Sequence, residues 1–197
     1  MRILNVNIRG FKKDGKESWF KNLVSANHPV IAAVQETKIN SVSDTWVETL
    51  WGSQNVGYAV KHPTGRSGGL MLIWDTSSFC VNQAVEGEFF IAIKGKLQGR
   101  DGEIVVVNVY GPHRDSKKIR FWSSLNELLK FPGVAWVVCG DFNEVRSNSE
   151  RKNCTFVESR AILFNDFIVN NGLIEIPLLG KRYTRISDDS CKLSKLD

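Results

Sequence analysis

The chain has 197 residues, 42% of them hydrophobic and 24% charged, and a formal net charge of +5 at pH 7. This composition supports one substantial core, so we expect a single domain over residues 1–197, without internal repeats, low-complexity tracts or linkers. No apolar run approaches the roughly 20 residues that a membrane span needs, so we expect no transmembrane segment and no membrane partner.

The cysteines and the first residues indicate the compartment. The four cysteines show no CxxC or other close metal-binding spacing, and two of them stand in or beside apolar strand-like runs. The N-terminus enters a strand pattern directly, without the apolar stretch and small-residue cleavage site of a signal peptide. We therefore expect reduced thiols in an intracellular protein.

The start of the chain predicts a strand, a helix and a second strand. Residues 3–8 form a short strand-like segment that carries Asn7 near its end. Apolar side chains then recur at helical spacing over residues 19–24, before a second compact apolar run at residues 30–34. Glu36 follows that run almost directly. This order of elements is typical of a crossover unit.

The middle of the chain predicts a short helix, a glycine-rich turn and three strands. The helix covers residues 46–51, and the turn at residues 65–69 feeds an apolar strand at residues 70–74. The turn lacks the GK[ST] ending of a phosphate-binding loop, so we interpret it as a place where backbones approach closely. Two further strands, at residues 88–97 and 103–110, flank a glycine-containing turn that predicts a hairpin.

An apolar run at residues 134–139 organises the second half of the chain. Pro132-Gly133 precedes it and Gly140 ends it, and its length and valine content predict a strand that is buried on both faces. Asp141 and Asn143 follow directly. In α/β folds functional groups collect at such strand ends, so this carboxylate and amide are candidates for chemistry; the alternative is a polar turn that closes the strand.

Two helices are predicted on either side of this strand in sequence. The first is amphipathic over residues 121–129, and the second covers residues 159–171, with Gly172 as the residue after its C-cap. The side chains of the second helix that should face inward are Ile162, Leu163, Phe167 and Ile168. The tail is strand-like at residues 174–177, 183–186 and 193–197. Because hairpins are mixed with helices, we expect mixed sheets.

Four of the apolar strands end in polar residues of the kinds that phosphoester chemistry uses. These residues are Asn7, Glu36, Asn108 with Tyr110, and Asp141 with Asn143. A single carboxylate such as Glu36 can anchor Mg²⁺, which would polarise a phosphoryl oxygen, and Asp141 could orient or deprotonate the attacking water. Amide and phenol groups could donate hydrogen bonds to the charge that develops on phosphate. Each residue alone can be structural, but their recurrence at successive strand ends favours a site.

These motifs resemble those of the endonuclease/exonuclease/phosphatase superfamily, and within it the endonuclease domain of plant non-LTR (LINE-type) retrotransposons. The resemblance runs from one terminus to the other. It is carried by Leu4-Asn5-Val6-Asn7-Ile8-Arg9-Gly10, Gln35-Glu36-Thr37, Arg66-Ser67-Gly68-Gly69, Asn108-Val109-Tyr110-Gly111-Pro112, Gly140-Asp141-Phe142-Asn143 and Ser194-Lys195-Leu196-Asp197.

The resemblance implies a four-layer α/β sandwich of two packed mixed β-sheets flanked by helices. It also implies phosphodiester hydrolysis that depends on Mg²⁺, with Mn²⁺ as a possible substitute. Carried over by motif, Glu36 is the metal ligand and Asn7 supports the site of metal and phosphate. The remaining catalytic candidates are Tyr110, Asp141, Asn143, Thr184 and Asp197. This reading requires the Glu36 and Asp141 carboxylates to converge with Asn7 and Asn143 around one cation.

The resemblance implies DNA as the partner, a reverse transcriptase domain downstream in the full element, and a nuclear location. With DNA as the partner, basic residues that cluster in predicted loops become candidates for contacts to the DNA backbone. The alternative is that these residues only form a solvated surface. The basic residues that we expect to contact DNA are Lys117, Lys118, Arg151 and Lys181.

The sequence departs from the family pattern in three places. Val6 and Arg185 stand where aromatic residues are common, and the Ser-Asp-His motif with its final strand does not follow Asp197. We therefore expect a domain that lacks its last strand or strands and whose hydrolysis is impaired, because one preorganised donor is worth ~10²–10³ in rate. Two alternatives stay open: a non-catalytic relic that at most binds nucleic acid, and a repair nuclease or phosphatase of the same fold.

Overall fold

The computed structural model describes residues 1–64, 68–130, 132–176, 183–186 and 191–196. The chain forms two compact units. Unit 1 comprises Met1–Tyr110 and Gly133–Gly140, and unit 2 comprises Gly111–Pro132 and Asp141–Asp197.

The elements of unit 1 are eight strands and two helices among its described residues, with the last residue of the eighth strand belonging to unit 2. The strands are β1 (Ile3–Asn7), β2 (Ile31–Gln35), β3 (Val56–Lys61), β4 (Leu70–Asp75), β5 (Phe79–Glu86), β6 (Phe90–Leu97), β7 (Ile104–Tyr110) and β8 (Ala135–Asp141). The helices are α1 (Lys16–Asn27) and α2 (Asp44–Trp51).

The first sheet is mixed and has the strand order β1-β2-β4-β3. Strands β1 and β2 are parallel, whereas β4 is antiparallel to both of its neighbours. Helix α1 ends where His28 takes a left-handed conformation and its N–H donates to the Val24 carbonyl. Both helices bury apolar side chains against the sheet, among them Phe20, Val24, Val47 and Leu50.

The second sheet has the order β5-β6-β7-β8, and its first three strands are antiparallel. Buried side chains from both sheets form one core between them, because the second face of β2 and β4 is as apolar as the first. The members of this core include Ile31, Ala33, Leu72, Phe79, Ile91, Ile93 and Val106. The predicted α/β sandwich of two packed mixed sheets with flanking helices is confirmed, as is the hairpin of β6 and β7.

Three strands that lie at sheet edges differ from the prediction. Strands β3 and β5 were not predicted. Val56, Tyr58 and Val60 alternate along β3 and pack on the core, so a period-2 signal was present for this strand, whereas β5 leaves most of its surface in solvent. Strand β8 was predicted to be buried on both faces, and this is wrong. Its first five residues are exposed or half-buried, because β8 is the last strand in its sheet among the described residues.

Unit 2 contains helices α3 (Asp115–Leu129) and α4 (Glu158–Asn170), a short 3₁₀ turn (Asn148–Glu150) and a small antiparallel sheet. The strands of that sheet are β9 (Arg151–Lys152), β10 (Arg185–Ile186) and β11 (Leu193–Ser194). Residues 174–176, predicted as part of a strand, are irregular in the structure. No described helix combines the length and the apolar character that crossing a membrane requires.

An aromatic cluster forms the core of unit 2. Trp122 lies 5.3 Å from Phe164 and 6.4 Å from Phe142 between ring centroids, and Phe167 also packs on it. Helix α4 therefore faces inward through Ala161, Phe164 and Phe167. The predicted inward positions Ile162 and Leu163 are wrong, since these side chains are 52% and 43% exposed. Gly172 does follow the C-cap residue, in a left-handed conformation, as predicted.

Candidate active site

Three strand ends of unit 1 bring Asn7, Glu36 and Tyr110 into direct contact. Asn7 is the last residue of β1, Glu36 follows β2, and Tyr110 is the last residue of β7. The Asn7 amide and the Tyr110 hydroxyl both donate to Glu36 Oε1, at 2.9 and 3.1 Å. The Lys38 ammonium lies 3.3 Å from Glu36 Oε2. Both carboxylate oxygens thus have partners that favour the anion.

The backbone around Glu36 is held in an unusual conformation. The parallel register pairs Asn7 with Gln35, so β1 and β2 end side by side and present Asn7 and Glu36 to each other. Glu36 and Lys38 both have φ of +53°, in the left-handed region that side-chain-bearing residues rarely adopt. Such strain persists where the surroundings fix it, and it is common at functional sites.

The glycine-rich turn supports this backbone. The N–H groups of Thr37 and Lys38 donate to the carbonyls of Gly69 and Gly68, at 3.1 and 3.2 Å. A Cβ on Gly69 would lie 2.3 Å from Thr37 Oγ1, so a side chain there would displace the loop that carries Glu36. For Gly68 and Gly69 the predicted close approach of backbones is confirmed; residues 65–67 lie outside the described part of the chain.

The environment of Glu36 lowers its pKa below the ordinary value of 4.5. Partial burial acts in the opposite direction and raises the pKa, but the hydrogen bonds from Asn7, Lys38 and Tyr110, together with the Lys38 charge, outweigh it. Glu36 is therefore ionised at neutral pH, which is the state that a metal ligand requires.

Replacing Lys38 with Met should raise the pKa of Glu36 towards the ordinary value. Because the folded-state pKa is lowered, Glu36 contributes stability above its unfolded pKa, and this contribution is lost as pH falls through the folded pKa. Lys38→Met should therefore weaken the loss of stability on acidification. The measurement is a ¹³C NMR titration of the Glu36 carboxyl, with Lys94→Met as the control because Lys94 pairs with Glu103. Equal titration of Glu36 in Lys38→Met and wild type would contradict the attribution.

A network of buried amides lies behind the Glu36 cluster. Gln35 Nε2 donates to Asn108 Oδ1 at 2.7 Å and to Asn5 Oδ1 at 2.9 Å. The Asn108 amide in turn donates to the carbonyls of Val34 and Met71, at 3.0 and 2.9 Å. Gln35 and Asn108 are completely buried. Asn108 therefore joins the second sheet to the first next to the residues that carry Glu36 and Tyr110.

Replacing Asn108 with Leu should lower the free energy of unfolding by about 2 kcal/mol, because it leaves buried polar groups without partners. Urea denaturation measures the loss. The control is Asn82→Leu. Asn82 lies on β5 of the same sheet as Asn108, but it is exposed and is hydrogen-bonded to Glu103. Equal losses in the two variants would show that the buried amide network contributes no more to the free energy of unfolding than an exposed hydrogen bond does.

In unit 2, Asp141 and Asn143 form a hydrogen-bonded loop that is fastened to Gly111. Asp141 Oδ1 accepts the Asn143 N–H at 3.0 Å, and the Gly111 N–H donates to the Asp141 carbonyl at 2.7 Å. The Asn143 side chain donates to the Gly111 carbonyl at 2.8 Å. A Cβ on Gly111 would lie 2.0 Å from the Phe142 carbonyl oxygen, so this approach requires glycine. Convergence of the Glu36 and Asp141 groups on one cation stays a prediction.

The last two catalytic candidates lie at the end of the chain. Thr184 is exposed, its N–H donates to the Ser194 carbonyl at 3.1 Å, and its hydroxyl accepts the Leu196 N–H at 3.0 Å. Thr184 therefore anchors the segment that leads to Asp197. Asp197 itself lies outside the described residues.

The basic residues predicted to contact DNA have different environments. Lys117 is exposed, whereas Arg151 is half-buried and donates to the Thr155 carbonyl at 2.5 Å. The structure corrects the prediction for Lys118: its side chain is 4% exposed and its ammonium contacts Glu144, so it does not present a charge to a surface ligand. Lys181 lies outside the described residues.

A divalent cation fits the chemistry of the Glu36 cluster. Within the described ranges, no three His, Cys, Asp or Glu side chains are grouped as a multidentate metal site. Mg²⁺ does not need such a group, since it is commonly bound through one or two carboxylates and keeps several waters. Glu36 supplies an ionised carboxylate that already attracts the Lys38 ammonium.

The sequence did not predict roles for Lys38, Gln35 or Asn5. Lys38 directly follows the Gln-Glu-Thr motif, so its position was the available signal. The amides of Gln35 and Asn5 gave no such signal, because a polar residue within a strand is as compatible with an exposed face as with a buried network.

Comparison with known proteins defines the family. The profile of the Endonuclease/Exonuclease/phosphatase family matches residues 4–171. A search of curated proteins found no match. Solved structures with a similar fold include the AP endonuclease LMAP from Leishmania major, with 14% identity, a TM-score of 0.64, and coverage of 86% of this chain and 66% of that chain.

Two other solved structures have similar folds. An AP endonuclease from Archaeoglobus fulgidus has 18% identity and a TM-score of 0.62, with 86% of this chain and 70% of that chain covered. The human Nocturnin catalytic domain has 15% identity and a TM-score of 0.58, with coverage of 85% and 68%. At these identities the likeness concerns the fold. Since the family profile spans most of the sequence, the chain belongs to the endonuclease/exonuclease/phosphatase family, whose members are hydrolytic nucleases or phosphatases.

Proposed function

We propose that this chain hydrolyses DNA phosphodiesters with Mg²⁺, or Mn²⁺ in its place, as the nicking endonuclease domain of a LINE-type retrotransposon. The observation that carries the hydrolytic part is the contact of Asn7 and Tyr110 with one oxygen of the ionised Glu36 carboxylate. The retrotransposon assignment rests on the sequence motifs, and with it come a nuclear location and a reverse transcriptase domain in the full element.

Each candidate residue has a role that its chemistry supports. Glu36 holds the cation, which when bound would polarise a phosphoryl oxygen and stabilise the leaving oxyanion. Asn7 and Tyr110 orient the Glu36 carboxylate in the structure. With the carboxylate on the cation, their N–H and O–H groups would donate to the charge that develops on phosphate instead. Asp141 accepts a proton from the attacking water, and Asn143 positions the phosphate. Thr184 and Asp197 support the same reaction from the C-terminal segment.

The test is nicking of supercoiled plasmid in Mg²⁺, with EDTA added to a parallel reaction. We expect nicked circles that accumulate with Mg²⁺ and are absent with EDTA. DNA binding with steep salt dependence but no metal-dependent cleavage would instead identify a non-catalytic nucleic-acid binder. Duplexes with and without one abasic site distinguish a retrotransposon endonuclease from a repair nuclease. Equal cleavage of both favours the retrotransposon assignment, whereas a strong preference for the abasic duplex would favour a repair nuclease.

We further propose that Lys117 and Arg151 contact the DNA backbone, together with Lys181. Neutralising Lys117 with Lys117→Met should reduce the slope of log affinity against log salt by about 1, because each phosphate contact releases a counterion. The control is Lys130→Met near the other end of α3, where Lys130 is exposed and paired with Glu127. Fluorescence anisotropy over a salt series measures both variants, and an unchanged slope in Lys117→Met would refute the contact.

A further inference from the structure

A buried ion pair in unit 2 has no role in the reaction proposed above. Lys118 lies in the first part of α3, and Glu144 follows Asn143 directly. The side chains of Lys118 and Glu144 are 4% and 2% exposed, and the Lys118 ammonium contacts Glu144 Oε1. By contrast, the Lys130 and Glu127 side chains of the exposed pair at the C-terminal end of α3 are 66% and 71% exposed.

Burying two charges is costly, and a buried pair often contributes no more stability than two apolar side chains of similar volume. The stability of the fold is therefore a weak explanation for the presence of a charged pair at these two positions. A charged pair does differ from an apolar pair in one respect, since its geometry is specific and an alternative arrangement would leave a charge unpaired. The informative question is therefore what the Lys118–Glu144 contact holds in place.

The segment that it holds contains two of the catalytic candidates. The backbone carbonyl of Asp141 and the side chain of Asn143 are bonded to Gly111, shortly before α3 begins. Glu144 attaches the next residue of the loop to α3 itself through Lys118. The segment at residues 141–144 is thus fastened to the segment at residues 111–118 at each end.

Two further features, the packing of Phe142 and the backbone of Asn143, also concern the conformation of this loop. Phe142 packs on Phe164 with 5.0 Å between ring centroids, so it cannot shift without disturbing the core of unit 2. Asn143 has φ of +53°, in the left-handed region that asparagine tolerates better than most residues, and its bonds to Asp141 and Gly111 hold it there. The loop thus combines a left-handed residue with a buried ion pair at the next position.

We propose that Lys118 and Glu144 are positioning residues, which fix the Asp141–Asn143 loop in the conformation that hydrolysis requires. This inference rests on the proposed function for its catalytic consequence. Its structural part, the fixing of the loop, stands on the contacts within unit 2 and can be tested whether or not the chain cleaves DNA.

The experiment compares Lys118→Met, Glu144→Gln and the double variant Lys118→Met/Glu144→Gln in the full chain. Each single variant leaves a buried charge unpaired and should lower the urea midpoint by roughly 1 M or more. The double variant removes both charges and should recover most of that loss. Single variants that unfold at the wild-type midpoint would overturn the proposal, because the pair would then hold nothing.

The double variant separates positioning from a purely structural role. We expect kcat for plasmid nicking to fall by about 10²-fold with KM changed little, since displaced catalytic groups lose far more rate than binding. The amide hydrogen of Asn143, which donates to Asp141, should exchange about tenfold faster because the loop opens more often. Wild-type kcat and wild-type exchange in the refolded double variant would overturn the proposal.

Lys130→Met/Glu127→Gln is the matched control, since it removes an exposed pair of the same residue types from the C-terminal end of the same helix and its cap. It should change neither the exchange of Asn143 nor kcat. If the wild-type chain shows no metal-dependent nicking, the proposed function fails, and the exchange measurement alone still decides whether the ion pair fixes the loop.

Discussion

Replacing Glu36 with Gln is expected to reduce metal-dependent hydrolysis by at least about 10³-fold relative to wild type. The amide keeps the size of the side chain but removes the negative charge that would bind the cation, and cation chemistry is worth several kcal/mol in such reactions. Plasmid nicking gives the relative rate. Isothermal titration calorimetry with Mg²⁺ or Mn²⁺ gives a second readout, in which the heat of binding seen for wild type should disappear in Glu36→Gln.

The chain offers a closely matched control for this variant. Glu103 also accepts a hydrogen bond from an asparagine, Asn82, at 2.8 Å and pairs with a lysine, Lys94, at 2.7 Å. Glu103→Gln therefore removes the same charge from a similar group of neighbours, and should retain wild-type nicking and cation binding. Hydrolysis that survives in Glu36→Gln, or is lost equally in both variants, would contradict the assignment of Glu36 as metal ligand.

Replacing Gly140 with Ala is expected to lower the free energy of unfolding by about 3 kcal/mol or more. A Cβ at Gly140 would lie 2.1 Å from the Val109 carbonyl oxygen and 2.6 Å from the Val109 nitrogen, which are backbone atoms that cannot rotate away. The φ of +135° is also unfavourable for any residue with a side chain. Overpacking and backbone strain each cost about 1–3 kcal/mol, so their combination exceeds an ordinary substitution. Urea denaturation measures the loss.

Gly133→Ala separates the two contributions to the Gly140 effect. Gly133 precedes β8, has φ of +79°, and has nothing within 4 Å of the position that a Cβ would occupy. Its replacement should therefore cost only the left-handed backbone strain, about 1–2 kcal/mol. A loss as large as that of Gly140→Ala would show that the contact with Val109 is not the cause.

The sequence could predict much of the architecture and the identity of the principal site residues. Apolar runs and helical periodicity located β1, β2, β4, β6, β7, α1, α3 and α4, because buried faces leave a regular pattern in the chain. The motifs around Glu36 and Asp141 pointed to phosphoester chemistry, since the required residue types follow strands directly. These features are local, and a local pattern is what a single sequence expresses most clearly.

Other features depended on contacts between residues that are distant in the chain. Strand β5 has a weak pattern because it lies at a sheet edge with most of its side chains in solvent, and whether a strand is central or at an edge is decided by the order of pairing. A lysine is typical of a surface position, but the fold brings Glu144 to Lys118, so the Lys118 charge is buried and paired. The partners of Gln35 and Asn108 are likewise fixed by the packing of one sheet on another.

The sequence by itself therefore determined the family, the two-sheet architecture and the order in which the candidate residues follow their strands. Only the tertiary structure decided that Asn7 and Tyr110 share one oxygen of Glu36, that an amide network lies behind them, and that Lys118 holds Glu144. The physical reason is that periodicity reports whether a side chain is buried, whereas its hydrogen-bond or ion-pair partner is set by strand register and packing across the fold.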